Sequence, residues 1–461
     1  MTNPGMETVD ELKGGFQGEI LLPGNTAYDA ARSVWNAMID KRPGVIARCA
    51  TTADVVRGVN FARDKGLVLA IRGGGHNIAG SAVCDGGIVI DLSLMKAAEV
   101  APDSRRVTIG AGATLADLDA ATQAHGLATP VGINSTTGIA GLTLGGGFGW
   151  LSRRYGLTVD NLESAEVVTA AGEVIRASAT DHPDLFWALR GGGGNFGVVT
   201  RFEFRLHPVG PDLLSGLIVY PFADAKSVLR QYRDFALGAP DELTVWVVMR
   251  KAPPLPFLPT AVHGREVVVL ALLHAGDPDE GKAIIEPLHH FGTPAGAHVG
   301  VQPYAAWQQA FDPLLAPGAR NYWKSHNFRA LDDGLLDVLI DSVRTLPSPD
   351  CEVFIASLGG ATSRQRPDSS AYGQRDAQFT MNVHGRWEHP ADDERGISWA
   401  RRLFKAAAPF ASGGVYVNFM TADEGDRVRA AYGANYERLV RVKQQYDPGN
   451  LFRANQNIMP A

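Results

Sequence analysis

What most constrains this chain is where it keeps its glycine. The 461-residue sequence holds 52 glycines, and they crowd into residues 73–87, 138–149 and 191–197. The first region contains Ile71-Arg72-Gly73-Gly74-Gly75-His76-Asn77-Ile78-Ala79-Gly80. It follows an apolar run, residues 67–71, with the length of a buried strand. Helix and strand interiors disfavour glycine by about 1 kcal/mol against alanine, so a fold that clusters it must use bare backbone there. Bare backbone turns sharply, and its amides can face an anion such as a phosphate. A tight turn would explain Gly73–Gly75 alone, but not the imidazole placed directly after them. The pattern predicts a ligand-binding loop, with a purely structural turn as the alternative.

The rest of the chain alternates regular elements around these loops. Thr51-Thr52-Ala53-Asp54 and Thr114-Leu115-Ala116-Asp117 have the spacing of capping boxes that open helices. Val55, Val59 and Ala62 fall on one face of the first helix, and Leu115, Leu118 and Ala121 on one face of the second. Residues 165–169 and 173–176 flank Ala170-Ala171-Gly172 as a hairpin. Residues 130–150 interleave hydroxyls and glycines with apolar residues. This suits a segment laid along a polar ligand, or a helix packed closely through glycine. After His207-Pro208 the glycine runs stop. Strands at 217–220, 243–250, 266–274, 352–358 and 379–387 alternate with helices at 224–237, 279–291, 335–346 and 392–408. This is the pattern of an antiparallel sheet covered by helices, an α+β arrangement. Residues 251–260 form a proline-rich loop, and 423–445 read as one helix.

Composition narrows the function classes. Net charge is −6, with 20% charged residues and no basic run, so nucleic acid is not expected as a partner. Cys49, Cys84 and Cys351 form no CxxC pair and no metal spacing, which suits a reducing compartment. The Met1–Phe16 stretch is polar, and no apolar run is long enough to span a membrane. A cytoplasmic protein without metal or membrane partner is expected. No G-x-G-x-x-G opens a helix as a nicotinamide site would require, and no glycine run ends in Lys-Ser or Lys-Thr.

Five segments in order then resemble a known family. They are Arg72–His76; Thr137-Gly138-Ile139-Ala140-Gly141 with Gly145-Gly146-Gly147-Phe148-Gly149; residues 156–162; residues 189–199; and the end, Tyr446-Asp447-Pro448-Gly449-Asn450 through Asn455-Gln456-Asn457-Ile458. The chain resembles the berberine-bridge-enzyme-like FAD-linked oxidoreductases of the vanillyl-alcohol-oxidase superfamily. The resemblance implies a PCMH-type FAD-binding domain of two subdomains over residues 1–208, a substrate-binding domain over 209–411, and a segment 412–461 that returns to the first. It implies FAD bound covalently through His76. The cofactor groove would be formed by Arg72, Gly73, Gly74, Gly75, His76, Asn77, Thr136, Gly138, Gly141, Leu142, Gly145, Gly146, Gly149, Asn161, Val199, Asn455 and Asn457. The implied activity is hydride removal from an alcohol, sugar hydroxyl or amine-bearing carbon of a small molecule. Molecular oxygen would become hydrogen peroxide.

Three departures bear on that reading. Relatives with a second flavin bond carry a cysteine where this sequence has Asn134, so a single bond is expected. Relatives with a Tyr-x-Asn-Tyr segment use the second tyrosine as the base; here the segment is Tyr416-Val417-Asn418-Phe419. Phenylalanine takes no proton. Tyr416 and Asn418, on one strand face, and Tyr322 and Lys324 are the candidate catalytic residues, with His326, His384 and Tyr304 behind them. Ile139 stands where valine favours oxidases and leucine dehydrogenases. A dehydrogenase of the same fold, or a flavin-binding protein without turnover, are the rival readings.

Overall fold

The computed structural model describes residues 6–461; the first five residues of the Met1–Phe16 stretch lie outside them. Two sheets build the glycine-rich part. A four-stranded sheet runs in the order Glu19–Leu21, Val45–Arg48, Ile88–Asp91, Leu69–Arg72, the last three strands parallel. Helix Thr52–Asp64 opens on the expected box: the Thr51 side chain accepts the Asp54 N–H, and the Asp54 carboxylate accepts the Thr51 N–H. Its Val55, Val59 and Ala62 are buried. The Thr114–Asp117 box forms in the same way. A five-stranded antiparallel sheet runs Ala98–Ala101, Arg106–Gly110, Val198–Arg205, Leu162–Val168, Val174–Ser178. Its last two strands form the hairpin read at 165–176. In the 130–150 segment only Ile139–Leu144 is helical, starting at Gly138.

The second body of structure is a seven-stranded antiparallel sheet. Its order is Gly296–Pro303, Asp212–Pro221, Glu266–His274, Leu243–Lys251, Glu352–Ser357, Phe379–Trp387, Arg320–Phe328. Helices Ala225–Gly238, Asp333–Val343 and Asp393–Ala407 share its apolar core on one face. Gly296–Pro303 and Arg320–Phe328 do not read as strands in sequence. The first is a largely exposed edge. The second is rich in polar residues that are nevertheless buried, so only its neighbours reveal it. The sheet's other face turns toward the glycine loops, where Trp246, Phe354 and Ala356 pack with Phe148, Trp150 and Leu151.

The tail departs from the sequence reading in two places. Residues 423–445 are not one helix: a 3-10 turn Ala422–Arg427 is followed by helices Val428–Tyr432 and Tyr436–Tyr446, with Gly433 at φ 53° between them. Val417–Phe419 is a 3-10 turn rather than strand. Tyr432, Leu439, Val442, Phe452 and Ile458 of the tail are buried in the core of the N-terminal sheets. No helix among the described residues is long and apolar enough to cross a membrane.

Candidate active site

A cavity of about 380 Å³ lies between the glycine loops and the uncovered face of the seven-stranded sheet. Gly73, Gly74, Gly75, His76, Asn77, Gly138, Gly141, Leu142, Val199 and Asn455 all line it. The loops approach by bare backbone. A Cβ at Gly74 would sit 2.3 Å from the Gly138 nitrogen. Gly75 has φ 71°, a left-handed turn that delivers His76 to the wall.

Two neighbours hold His76. Its ring stacks on Trp35, centroids 5.3 Å apart at 21°. Its Nε2 lies 2.9 Å from Thr136 Oγ1. Burial, partly opposed by hydrogen bonding to the Thr136 backbone, pushes its pKa down to about 4, so the imidazole is neutral at pH 7. Trp35 is fixed by its own Nε1–H, which donates to the Leu315 carbonyl at 2.7 Å. Trp35 carried no signal in the sequence, because it lies far outside the glycine motif.

Other residues expected in the groove support its wall without forming it. Arg72 is half-buried, and its guanidinium donates to the Ala31 carbonyl. Gly145, Gly146 and Gly149 make room for Asn418, Tyr372 and the Val131 carbonyl. Asn161 donates to the Tyr155 and Leu157 carbonyls at 3.0 and 2.9 Å, and its Oδ1 meets His207 at 2.7 Å. It is therefore a loop brace. Asn457 lies in a neighbouring cleft beside Lys41 and Arg453. Thr136 acts on His76 rather than on the cavity.

The catalytic candidates divide. Tyr416 and Asn418 line the cavity, and Asn418 Nδ2 donates to the Tyr416 oxygen at 3.0 Å. The Gly147 N–H also donates to that oxygen, at 3.2 Å. Burial nevertheless outweighs both donors and raises the Tyr416 pKa to about 12. Tyr416 therefore stays protonated, as a donor rather than a base. Tyr322 and Lys324 are misplaced by the sequence reading. Strand alternation sends them to the side opposite Trp323. There Tyr322 donates to Asp423 at 2.6 Å, and Lys324 to Thr421 and Asp423 at 3.1 and 2.9 Å. Tyr304 and His326 are also outside the cavity wall. His384 is on it.

His384 belongs to a row that single-residue reasoning missed. Trp323 pairs with His384, His384 with Glu352, and Glu352 with Arg250, directly across four strands. All four side chains reach the cavity. Arg250 donates to Glu352 at 2.7 Å, and His384 Nδ1 lies 3.3 Å from Glu352 Oε1. Burial raises the Glu352 pKa, but Arg250 and His384 outweigh it and hold the carboxylate ionised. Burial lowers the His384 pKa against the pull of Glu352.

Comparison with known proteins fits this geometry. An FAD binding domain model matches residues 43–178, and a model of berberine and berberine-like proteins matches residues 415–459. An FAD-linked oxidoreductase of Dictyostelium discoideum is 31% identical over 459 residues, covering 98% of this chain and 97% of its own. The chain belongs to the berberine-like FAD-linked oxidoreductases. It is thus an enzyme with an FAD-binding domain. Among solved structures of this family, 6-hydroxy-D-nicotine oxidase of Arthrobacter nicotinovorans superposes with TM-score 0.86 at 30% identity, over 97% of this chain and 99% of its own. Glucooligosaccharide oxidase of Acremonium strictum, which carries 6-S-cysteinyl, 8α-N1-histidyl FAD, shares the fold with TM-score 0.87 at 21% identity, over 98% of this chain and 99% of its own. The residues of this berberine-like chain suit FAD. Gly73, Gly74 and Gly75 line the cavity as bare backbone, with no side chain to shield their amides, and the Asn455 side-chain oxygen is buried without a partner.

Proposed function

We propose that this berberine-like oxidoreductase is an oxidase with FAD attached through His76 alone. The observation that carries this reading is His76 itself: a neutral imidazole on the cavity wall, delivered by the glycine turn and clamped by Trp35. A neutral imidazole has a lone pair for attachment, and an imidazolium has none. Gly73 to Asn77, Gly138, Gly141, Leu142, Val199 and Asn455 would hold the cofactor. Asn134 offers no thiol for a second bond, and Cys49, Cys84 and Cys351 all lie off the cavity wall. Their free, buried state supports a reducing compartment such as the cytoplasm. In this reading residues 1–208 and 412–461 carry the cofactor, and 209–411 carry the substrate.

When bound, FAD supplies the hydride acceptor and hands the electrons to oxygen, giving hydrogen peroxide. The chain supplies the rest. His384 accepts the proton of the substrate's hydroxyl or amine, and Glu352 stabilises the imidazolium that results. Tyr416, whose oxygen is already taken by two donors, can direct its own proton into the cavity. Phe419 packs edge-on against Tyr416 and Trp323, with centroids 4.8 and 5.5 Å away, and helps keep water out. The attachment is tested by acid precipitation. Wild-type protein is expected to keep its flavin in the washed pellet, and His76→Ala to release it. Flavin washing out of the wild type would refute covalent linkage.

The wall also selects a substrate class. Beyond the charged row it is built of Leu217, Val219, Val248, Val269, Leu255 and Leu258, with Trp246 and Phe354 meeting edge-on at 5.0 Å. Each sugar hydroxyl buried there without a partner would cost about 1–3 kcal/mol. The wall's two charges, Arg250 and Glu352, are spent on each other, which leaves no free carboxylate for a cationic amine. A flat, neutral aromatic alcohol suits this wall best. By calorimetry with the holoenzyme, 2-naphthalenemethanol is expected to bind at least about tenfold more tightly than xylobiose. The reverse order would remove this preference and leave the flavin assignment standing.

A further inference from the structure

The residue standing where relatives with a second bond carry cysteine is part of a relay that ends on His76. Asn134 Oδ1 accepts the Thr136 backbone N–H at 3.0 Å and the Thr136 hydroxyl at 2.7 Å. The amide orientation is set from the other end, where Asn134 Nδ2 donates to the Leu315 carbonyl at 3.5 Å. That same carbonyl holds Trp35, the residue stacked on His76. The Thr136 hydroxyl has one proton, and Asn134 takes it. Its oxygen is left to act only as an acceptor toward His76 Nε2, 2.9 Å away.

We infer that Asn134 and Thr136 are positioning residues for flavin attachment: their relay locks His76 in the Nε2–H tautomer and leaves Nδ1 as the nucleophile. This inference rests on the proposal that His76 carries the flavin. Attachment forms one C–N bond, between Nδ1 and the 8α carbon. The 8α methyl loses one hydrogen and the imidazole loses its Nε2 hydrogen. The electron pair of the broken C–H bond and both protons end on the flavin ring, which is left reduced by two electrons. Oxygen takes those electrons and protons as hydrogen peroxide, restoring the oxidised flavin. An acceptor at Nε2 is needed because that proton has to leave, and the Thr136 oxygen stands at the required place. Once the proton has gone, the same hydroxyl can turn and donate to Nε2, holding the attached ring. A second role thus falls to Asn134. The position brings no thiol to the flavin, but it sets the proton on the histidine that does attach.

The test uses holoenzyme purified with saturating FAD and follows two readouts: total bound flavin, and flavin that survives acid precipitation and appears on the His76 peptide by mass. Thr136→Val keeps the shape and removes the hydroxyl. It is expected to bind total flavin like wild type while its acid-stable fraction falls about tenfold or more. Asn134→Leu is expected to fall in the same direction, and Thr136→Ser to restore attachment. Full acid-stable flavin in Thr136→Val would overturn the relay. So would loss in Thr136→Ser equal to that in Thr136→Val, since that would mark a packing effect. If wild-type flavin itself washes out, the His76 reading fails first and the relay falls with it. The wild-type arm therefore separates the two failures.

Discussion

Replacing His384 with glutamine is expected to lower kcat/KM by about 10²–10⁴-fold while the flavin stays attached. Glutamine fills the space and can still hydrogen-bond, but it takes no proton. The effect follows from the surroundings of the ring. Nδ1 faces the Glu352 carboxylate at 3.3 Å, and Nε2 faces the Asn321 side-chain oxygen at 3.2 Å. Asn321 is oriented by its own amide, which donates to the Ala319 carbonyl at 2.8 Å, and by Arg386, which donates to its oxygen at 3.3 Å. A neutral imidazole has one N–H for two acceptors. Protonated, it has one for each. The site thus gains a hydrogen bond when His384 takes a proton, and the ionised Glu352 adds charge stabilisation. Burial works the other way and keeps the resting ring neutral, with its pKa below the ordinary 6.5. The base form is therefore present at neutral pH, and the acid limb of kcat/KM is expected below pH 6.5. A His384→Gln enzyme with unchanged kcat/KM, or an acid limb above pH 6.5 in the wild type, would exclude His384 as the base.

Asp447→Ala is expected to destabilise the protein by about 3–5 kcal/mol, the cost of stranding a buried charge. Lys443 and Asp447 have fully buried side chains, paired at 2.6 Å. The Lys443 ammonium also donates to the carbonyls of Asn195 and Phe452, each at 2.9 Å. The Asp447 carboxylate accepts the N–H groups of Leu451 and Phe452, both at 2.8 Å. All three ammonium protons and both carboxylate oxygens are engaged, so the pair is stable as a unit and costly to halve. Burial lowers the Lys443 pKa, opposed by Asp447. Removing the carboxylate leaves desolvation unopposed. The lock joins the end of the chain to the third glycine region, where Asn195 Oδ1 accepts the Ile458 N–H at 3.0 Å. Asn455, on the cavity wall, lies between these two anchors. Denaturant unfolding measures the loss, and weaker total flavin binding should accompany it. A double replacement, Lys443→Met with Asp447→Leu, should recover much of the stability, because no charge is left alone in the core. An Asp447→Ala midpoint matching wild type would show that the pair contributes little.

The two cases differ in how visible they were beforehand. The Tyr446–Asn450 segment stands out as a local string, and its partner Lys443 is one helical turn away at i, i+4. The role of Asn195 in the same lock is set only by folding. Neither Arg250 nor Glu352 shows any local peculiarity, and each would pass for a solvated strand charge. They become a site because antiparallel register places them opposite each other and beside His384. Tyr322 and Lys324 failed for the related reason that a strand has two faces, and the sequence does not say which one meets the cavity. Trp323, between them, has the cavity side.

What the sequence alone determined is what short-range chemistry controls. The capping boxes at Thr51 and Thr114, the glycine turn that ends in His76, the change of character after Pro208 and the position of Phe419 in place of a base are each written in a few consecutive residues. Tertiary structure decided which distant side chains share the cavity. It stacked Trp35 on His76, ran the Asn134–Thr136 relay to Nε2, and set His384 beside Glu352 and Arg250. Strand register and domain packing act between residues far apart in the chain, and no local pattern specifies the partner. Burial then fixed the charge states, leaving His76 and His384 neutral and Tyr416 protonated, because desolvation depends on everything packed around a group rather than on its neighbours in sequence.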